Sequence, residues 1–253
     1  MNGFPEQLRF AVSYLAELPS RTIDLCYPRD CAACGEPAGE TYRWLCEECA
    51  AKLPVTAADN CCALCGAPFA GVVTTKTRVC AECAALNPHW SAGKTLLKFD
   101  GPAIALVHAL KYGGAKQMLE DVRTLLIRRP DIIDMLRGAA LVPVPLYHAR
   151  RRERGYNQSE WLARLFAREA GCGVRDLLIR TRDTGTQTLL SMDERRKNVR
   201  GAFAPRPNAT IRPGRKYVLV DDVITTGSTL EACAAALVKA GADEPAVLTL
   251  AHA

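Results

Sequence analysis

Adjacent carboxylates ahead of a hydroxyl-rich turn are the first pattern in this sequence that could do chemistry. In the run Lys216 to Leu230, KYVLVDDVITTGSTL, Asp221 and Asp222 precede Thr225, Thr226, Gly227, Ser228 and Thr229. Short hydroxyl donors, and a glycine able to take positive φ, suit a phosphate when a helix begins at the same place. Its unpaired N–H groups and its dipole then converge on one spot. The run has no lysine of the Gly-x-x-x-x-Gly-Lys-Ser/Thr kind, which disfavours a triphosphate cradle. The acid pair would repel a phosphate and suits instead vicinal hydroxyls or the water shell of a magnesium ion. A phosphate on one side and a diol on the other describes a ribose 5-phosphate.

Cysteine spacing is the second pattern. Ten of the 12 cysteines fall between Cys26 and Cys83, and eight form Cys-x-x-Cys pairs: Cys31/Cys34, Cys46/Cys49, Cys62/Cys65 and Cys80/Cys83. Two thiolates on a tight turn chelate one zinc, and two such knuckles complete a tetrahedron. Cys34-Gly-Glu-Pro37 and Cys65-Gly-Ala-Pro68 repeat the same turn chemistry, so the segment reads as a short zinc ribbon occurring twice. Sequential grouping puts Cys31, Cys34, Cys46 and Cys49 on one ion and Cys62, Cys65, Cys80 and Cys83 on the other. A cross-brace would pair the first knuckle with the third and the second with the fourth. Iron–sulfur is the rival to zinc, since four cysteines serve both. Cys26 and Cys61 are left over as local substitutes or small buried residues. A module this small lacks the core to fold without metal, so its role is structural. Its basic residues, Arg43, Lys52, Lys76 and Arg78, are sparse for a nucleic-acid face.

Both patterns need elements to hold them. The phosphate run requires a strand, Tyr217 to Val220, and a helix, Thr229 to Ala240, stopped by Gly241. Upstream, Phe4 to Leu18 has Leu8, Val12 and Leu15 at helical spacing between Pro5 and Pro19, a docking helix without the lysine and arginine excess of a membrane-surface helix. After Asn87-Pro88 the pattern turns α/β. A strand at Thr95 to Phe99 is followed by a helix from Pro102 to Leu110, the block Lys111-Tyr-Gly-Gly114, and an amphipathic helix from Lys116 to Arg128. Leu141 to Pro145 makes a short strand whose prolines imply a sheet edge or an abrupt end.

The loop Leu146 to Gly155 carries Arg150, Arg151, Arg152 and Arg154 against the single acid Glu153, and leads into a helix from Asn157 to Ala170. Arginine runs are ordinarily solvated surface. This one sits where open α/β sheets place ligands. Asp176 to Thr181 reads as a strand, Arg182 to Arg200 as a polar, basic flap, and Ala246 to Ala251 as a last strand. Alternation of strands and helices implies a parallel sheet with right-handed crossovers. The division expected is a docking helix at 1–20, a double zinc ribbon at 21–90 and an α/β domain at 91–253.

Composition sets the outer limits. With 49% hydrophobic and 24% charged residues the 253-residue chain is globular, which excludes long disorder. A net charge of +6 permits anionic ligands or nucleic acid without requiring either. No apolar run approaches the roughly 18 residues of a membrane span. Glu6 and Arg9 interrupt the first apolar pattern, so no secretory signal is evident and a cytoplasmic protein is expected. In that reduced setting cysteines serve as metal ligands more readily than as disulfides.

Val218 to Thr229 resembles the PRPP (5-phosphoribosyl 1-pyrophosphate) motif of type I phosphoribosyltransferases. The whole chain resembles the ComF family of competence-associated phosphoribosyltransferase-like proteins. Besides the Cys-x-x-Cys repeats and the PRPP-type motif, the blocks that carry the likeness are Leu110-Lys-Tyr-Gly-Gly114, Val142-Pro-Val-Pro145, Arg154-Gly-Tyr-Asn-Gln158, Gln187 with Leu190-Ser191, and Glu194 to Gly201. The resemblance implies a type I phosphoribosyltransferase-like parallel sheet flanked by helices. Asp221 and Asp222 would then hold the ribose hydroxyls, and Thr225 to Thr229 the 5-phosphate. The loop with Arg150, Arg151, Arg152 and above all Arg154 would hold pyrophosphate. The stretch Gln187 to Asn198, with Arg195 or Arg196, would close over it, and magnesium would accompany PRPP.

Two functions of different class follow. One is magnesium-dependent transfer of a phosphoribosyl group to an unidentified acceptor. The other is a non-catalytic PRPP- or nucleotide-binding adaptor that meets single-stranded DNA or partner proteins during DNA uptake. Aromatic platforms near basic residues for the second are few: Tyr42, Trp44, Trp90 and Tyr147.

Overall fold

Strands buried on both faces read as continuous runs of Val, Leu and Ala, and the α/β part of this chain supplies them. The structure, a computed structural model, describes residues 29–71, 78–183 and 198–253. In chain order the elements are α1 (Glu47–Ala51), α2 (Ala81–Leu86), β1 (Ala92–Lys98), α3 (Pro102–Lys111), a 3-10 turn (Lys116–Met118), α4 (Leu119–Ile127), α5 (Pro130–Leu136), β2 (Ala140–Pro143), α6 (His148–Arg154) and α7 (Gln158–Ala170). They continue with β3 (Gly173–Val174), β4 (Leu178–Arg180), β5 (Phe203–Pro205), β6 (Tyr217–Ile224), α8 (Ser228–Lys239) and β7 (Ala246–His252).

The five-stranded sheet has the order β1-β7-β6-β2-β3, and every pairing in it is parallel. β6 is therefore central. It runs four residues beyond the expected Val220, so Asp221 and Asp222 lie within the ladder, Asp221 opposite Thr249 of β7. Side chains alternate across the sheet. Val218 and Val220 enter a core with Leu106, Leu126 and Phe166, while Leu219 enters a second core with Trp90, Leu230 and Leu237.

Three expectations are corrected. β2 is not an edge strand: it lies between β6 and β3, although it does end abruptly at Pro143. Proline is tolerated there because β3 pairs only with Ala140 and Leu141, leaving no ladder bond for Pro143 to donate on that side. The Asp176 to Thr181 stretch leaves the parallel sheet, and its residues Leu178 to Arg180 pair antiparallel with β5. The arginine loop is largely helical, as α6. Arginine is a good helix former, and Gly155 at φ 80 ends the helix in the left-handed region. α5 and β5 were not anticipated. The expected helix at Phe4 to Leu18 and Cys26 lie outside the described residues. Among those described, no helix is long and apolar enough to cross a membrane.

The ribbon repeat is visible in matched hydrogen bonds. Cys31 N donates to Glu36 O at 2.6 Å and Cys62 N to Ala67 O at 2.7 Å, while Gly35 and Gly66 sit at φ 82 and 77. Cys46 caps α1 and Cys80 caps α2, each accepting from the N–H of the cysteine three residues on. The two units meet opposite faces of the sheet: Tyr42, Leu45 and Leu53 join the first core, Cys62, Cys65 and Cys83 the second. Asp121 on α4, fully buried, anchors the first ribbon by accepting Arg43 N at 2.6 Å and Trp44 N at 3.0 Å.

Candidate functional site

β6 brings its carboxylates to the carboxyl end of the sheet, and the start of α7 is built to meet them. Asn157 caps that helix, accepting Ser159 N at 3.1 Å, and ties it to the end of β2 by donating from Nδ2 to Val144 O at 3.0 Å. Ser159 Oγ then donates to Asp221 Oδ1 at 2.8 Å, and Gln158 Nε2 to Asp222 Oδ2 at 3.1 Å. Lys111 Nζ, at the end of α3, stands 3.4 Å from the same Asp222 oxygen. Each aspartate also accepts the N–H of the residue after it. Burial, and after it the neighbouring Asp222, push the Asp221 carboxyl up to about 7.

The charge continues outward through Gln158, whose Oε1 accepts from Arg154 Nη1 at 2.7 Å. The Arg154 guanidinium lies over the rings of Tyr112, 5.4 Å away, and Tyr156, 6.0 Å away. Tyr156 accepts Gly114 N at 2.9 Å and stacks on Trp161. The blocks Lys111 to Gly114 and Arg154 to Gln158, distant in sequence, thus converge on the acid pair.

On the other side lies the turn Thr225 to Thr229. Gly227, at φ 71, precedes α8, and Thr226 Oγ1 and Ser228 Oγ are hydrogen-bonded at 2.8 Å. Asp221 and all five turn residues line one small hollow. The structure therefore brings Asp221 together with the whole hydroxyl turn, and Asp222 together with Lys111 and, through Gln158, Arg154.

The remaining arginines diverge. Arg151 pairs with Glu160 and lines a separate groove of about 670 Å³ beside Trp161, Arg164 and Arg168, while Arg152 is exposed. Arg150 approaches Arg180 of β4. Burial, then Arg150, hold the Arg180 guanidinium below its ordinary range, and Asp221 also acts on it. Gln187, Arg195 and Arg196 lie outside the described residues. Asn198 is placed, its carbonyl accepting from Arg182 Nη2 at 3.0 Å.

Lys111, Gln158, Ser159 and Arg180 join the site without a role expected from the sequence. The first two sit in blocks already singled out for family likeness. Ser159 and Arg180 have no sequence signal. Two supposed aromatic platforms are corrected, since Trp90 and Tyr42 are buried at 1% and 4% exposure.

Both cysteine sets close sequentially. In each, four sulfurs lie within 4.8 Å of one another, which rules against the cross-brace. A tetrahedral Zn–S₄ site with bonds near 2.3 Å has S–S edges of about 3.8 Å. Cys34 and Cys46 are 3.6 Å apart and Cys65 and Cys80 are 3.7 Å apart, so the residues fit zinc. Backbone N–H groups point at the sulfurs as thiolates require, for example Cys80 N to Cys62 Sγ at 3.3 Å.

Residues 22–84 match the double zinc ribbon domain family and residues 157–252 the phosphoribosyl transferase domain family. Competence protein F of Haemophilus influenzae is 33% identical over 179 residues, covering 69% of this chain and 78% of that protein. DNA utilization protein YhgH of Escherichia coli K12 is 31% identical over 226 residues, covering 86% of this chain and 94% of its own. The protein of that name from Salmonella typhimurium is 31% identical over 223 residues.

Proposed function

As the chain belongs to the ComF family of competence and DNA-utilization proteins with a phosphoribosyltransferase domain, we propose that it binds PRPP with magnesium and transfers the phosphoribosyl group to an acceptor nucleophile. The observation that carries this reading is the single hollow shared by Asp221 and the turn Thr225 to Thr229, next to Asp222, which Lys111 meets directly and Arg154 through Gln158.

On this reading the turn receives the 5-phosphate through converging N–H and hydroxyl donors. Asp221 and Asp222 accept from the ribose hydroxyls, oriented by Ser159 and Gln158. Arg154 neutralises the leaving pyrophosphate through forked donors, aided by Arg150, Arg152 and, from the stretch beyond Arg182, Gln187, Arg195, Arg196 and Asn198. Arg151 is the weakest member of this set, because Glu160 already engages it. The C1–O bond to pyrophosphate breaks with its electron pair, the acceptor's lone pair forms the new bond at C1, and the acceptor's proton passes to solvent. Magnesium, when bound, offsets charge on the pyrophosphate and ribose oxygens. Residues 21–90 act as the metal-held module and 91–253 as the transferase-like unit. Eight thiolate ligands suit a reducing cytoplasm.

Titration calorimetry of PRPP with magnesium against the wild type and Asp222→Ala tests the pocket, with about tenfold or greater weakening expected. Unchanged affinity removes the ribose-diol role. Release of pyrophosphate on a panel of bases and amines tests turnover, and silence across the panel rejects transfer in favour of the adaptor.

The adaptor reading has its own observation. The groove beside α7 sets Lys116, Arg123, Arg164 and Arg168 around the Tyr156–Trp161 stack, with the arginines paired to Glu160 or Glu169, so single-stranded DNA or a partner protein of DNA uptake would compete with those acids for them. Neutralising Arg164 and Arg168 then flattens the salt dependence of oligonucleotide binding, and an unaltered slope rejects the groove.

A further inference from the structure

The phosphate turn rests directly on the second ribbon. A Cβ added to Gly227 would come within 3.1 Å of Leu86 Cδ2 and 3.2 Å of Trp90 Cη2, so the turn's backbone lies against the last residue of α2 and the indole that follows it. Trp90 is fixed in turn, its Nε1 donating at 2.6 Å to the carbonyl of Leu64, inside the Cys62-x-x-Cys65 knuckle. Between them, His89 engages the first turn of α8. Its N–H donates to Glu231 Oε2 at 2.8 Å, and its ring Nδ1 lies 2.5 Å from Glu231 Oε1. Glu231 N donates back to Gly227 O at 2.8 Å. Cys62, Cys65, Cys83, Trp90, Ile224 and Leu230 belong to one buried cluster. Among the described residues, the first ribbon docks instead through Asp121 into the opposite core.

A turn that binds phosphate through backbone N–H groups must hold them aimed before the ligand arrives, and a glycine at positive φ has the freedom to lose that aim. We propose that Leu86, His89 and Trp90 are positioning residues of the phosphate turn, so that the second cysteine cluster, and not the first, sets the shape of the ribose-phosphate site. This rests on the reading that the turn receives the 5-phosphate. It goes beyond it by assigning one of two chemically identical clusters to the ligand site.

The test compares wild type, Leu86→Ala, Trp90→Phe and His89→Gln, with Asp121→Ala as the control for the first ribbon. Three quantities are read: zinc content, amide exchange at residues 225–229 without ligand, and affinities for ribose 5-phosphate and for inorganic pyrophosphate. The ribbon-2 variants, still binding their zinc, should show turn amides exchanging about tenfold faster and ribose 5-phosphate bound about tenfold more weakly, with pyrophosphate unmoved. Asp121→Ala should leave all three unmoved. Wild-type exchange in both Leu86→Ala and Trp90→Phe overturns the proposal, as does a parallel fall in pyrophosphate affinity, which would mean general loosening. If the wild type binds no ribose 5-phosphate while the variants still speed exchange, the functional reading falls and the mechanical coupling stands.

Discussion

Replacing Asp221 with asparagine tests whether its carboxyl is held proton-bound by the fold. The ordinary value is 3.8, and burial beside Asp222 raises it to about 7 in the folded chain. Between those values the native state binds more protons than the unfolded one, so stability falls as pH rises across the window and is level above it. The full span, 7 − 3.8, at about 1.4 kcal/mol per tenfold, caps the effect at ~4 kcal/mol. Only part is accessible, because zinc ligands protonate in acid. From about pH 6 to about pH 8 a single group with this value loses ~1.4 kcal/mol, the ratio of 1 + 10 to 1 + 0.1.

Denaturation of wild type and Asp221→Asn at both pH values, compared by difference so that histidines cancel, should show the variant more stable at the higher pH with a flatter profile. PRPP affinity should move the opposite way in wild type, rising about tenfold over the same interval as an ionised acceptor becomes available, and should lose that rise in the variant. Parallel stability profiles for the two proteins would refute the argument that burial without full compensation holds this acid protonated.

Other consequences are open to measurement. Metal analysis should return near two zinc ions per chain, one for each cluster, and a value near one would reject the paired ribbons. Asp121→Ala leaves the N–H groups of Arg43 and Trp44 without their acceptor and should cost ~2–3 kcal/mol in thermal unfolding, while a change under ~0.5 kcal/mol would mean that the first ribbon is held by other contacts. Gly227→Ala meets both a φ of 71 and the contacts with Leu86 and Trp90, so it should cost ~1–2 kcal/mol or more and abolish ribose 5-phosphate binding; wild-type affinity would show that the turn is not the phosphate site. Arg154→Ala should weaken pyrophosphate about tenfold and spare ribose 5-phosphate, the reverse of the ribbon variants, and equal losses would reject its separate role.

What could be read from the chain without coordinates divides along physical lines. The acid pair, the turn and the eight cysteines were legible because their chemistry is local: spacing within a few residues fixes which atoms meet. The family blocks at Lys111 and Arg154 were visible as patterns, but their meeting at Asp222 depends on how α3 and α7 cross the sheet, a long-range matter. Pro143 misled because proline signals a lost donor, and only the short β3 shows that the donor was not needed. The arginine run reads as a solvated loop by its charge, whereas HARRRER has the helix propensity that forms α6. Trp90, taken for a surface platform, is the floor beneath Gly227, and nothing in its neighbours in sequence announces that.

Because Asp221 and Asp222 belong to the central ladder and not to the loop beyond it, the floor of the site is as stiff as the sheet itself. On the proposed reading, a sugar arriving there would meet one oxygen of each acid already bridged, to Ser159 and to Gln158, and would share those partners or use the remaining oxygens. Any adjustment to the guest therefore falls to the periphery, to the seven residues of α6 between Tyr147 and Gly155 and to the rings against which Arg154 lies. Selectivity would then be tuned at that rim, by what enters and how long it stays, while the place where the pentose lies remains the same.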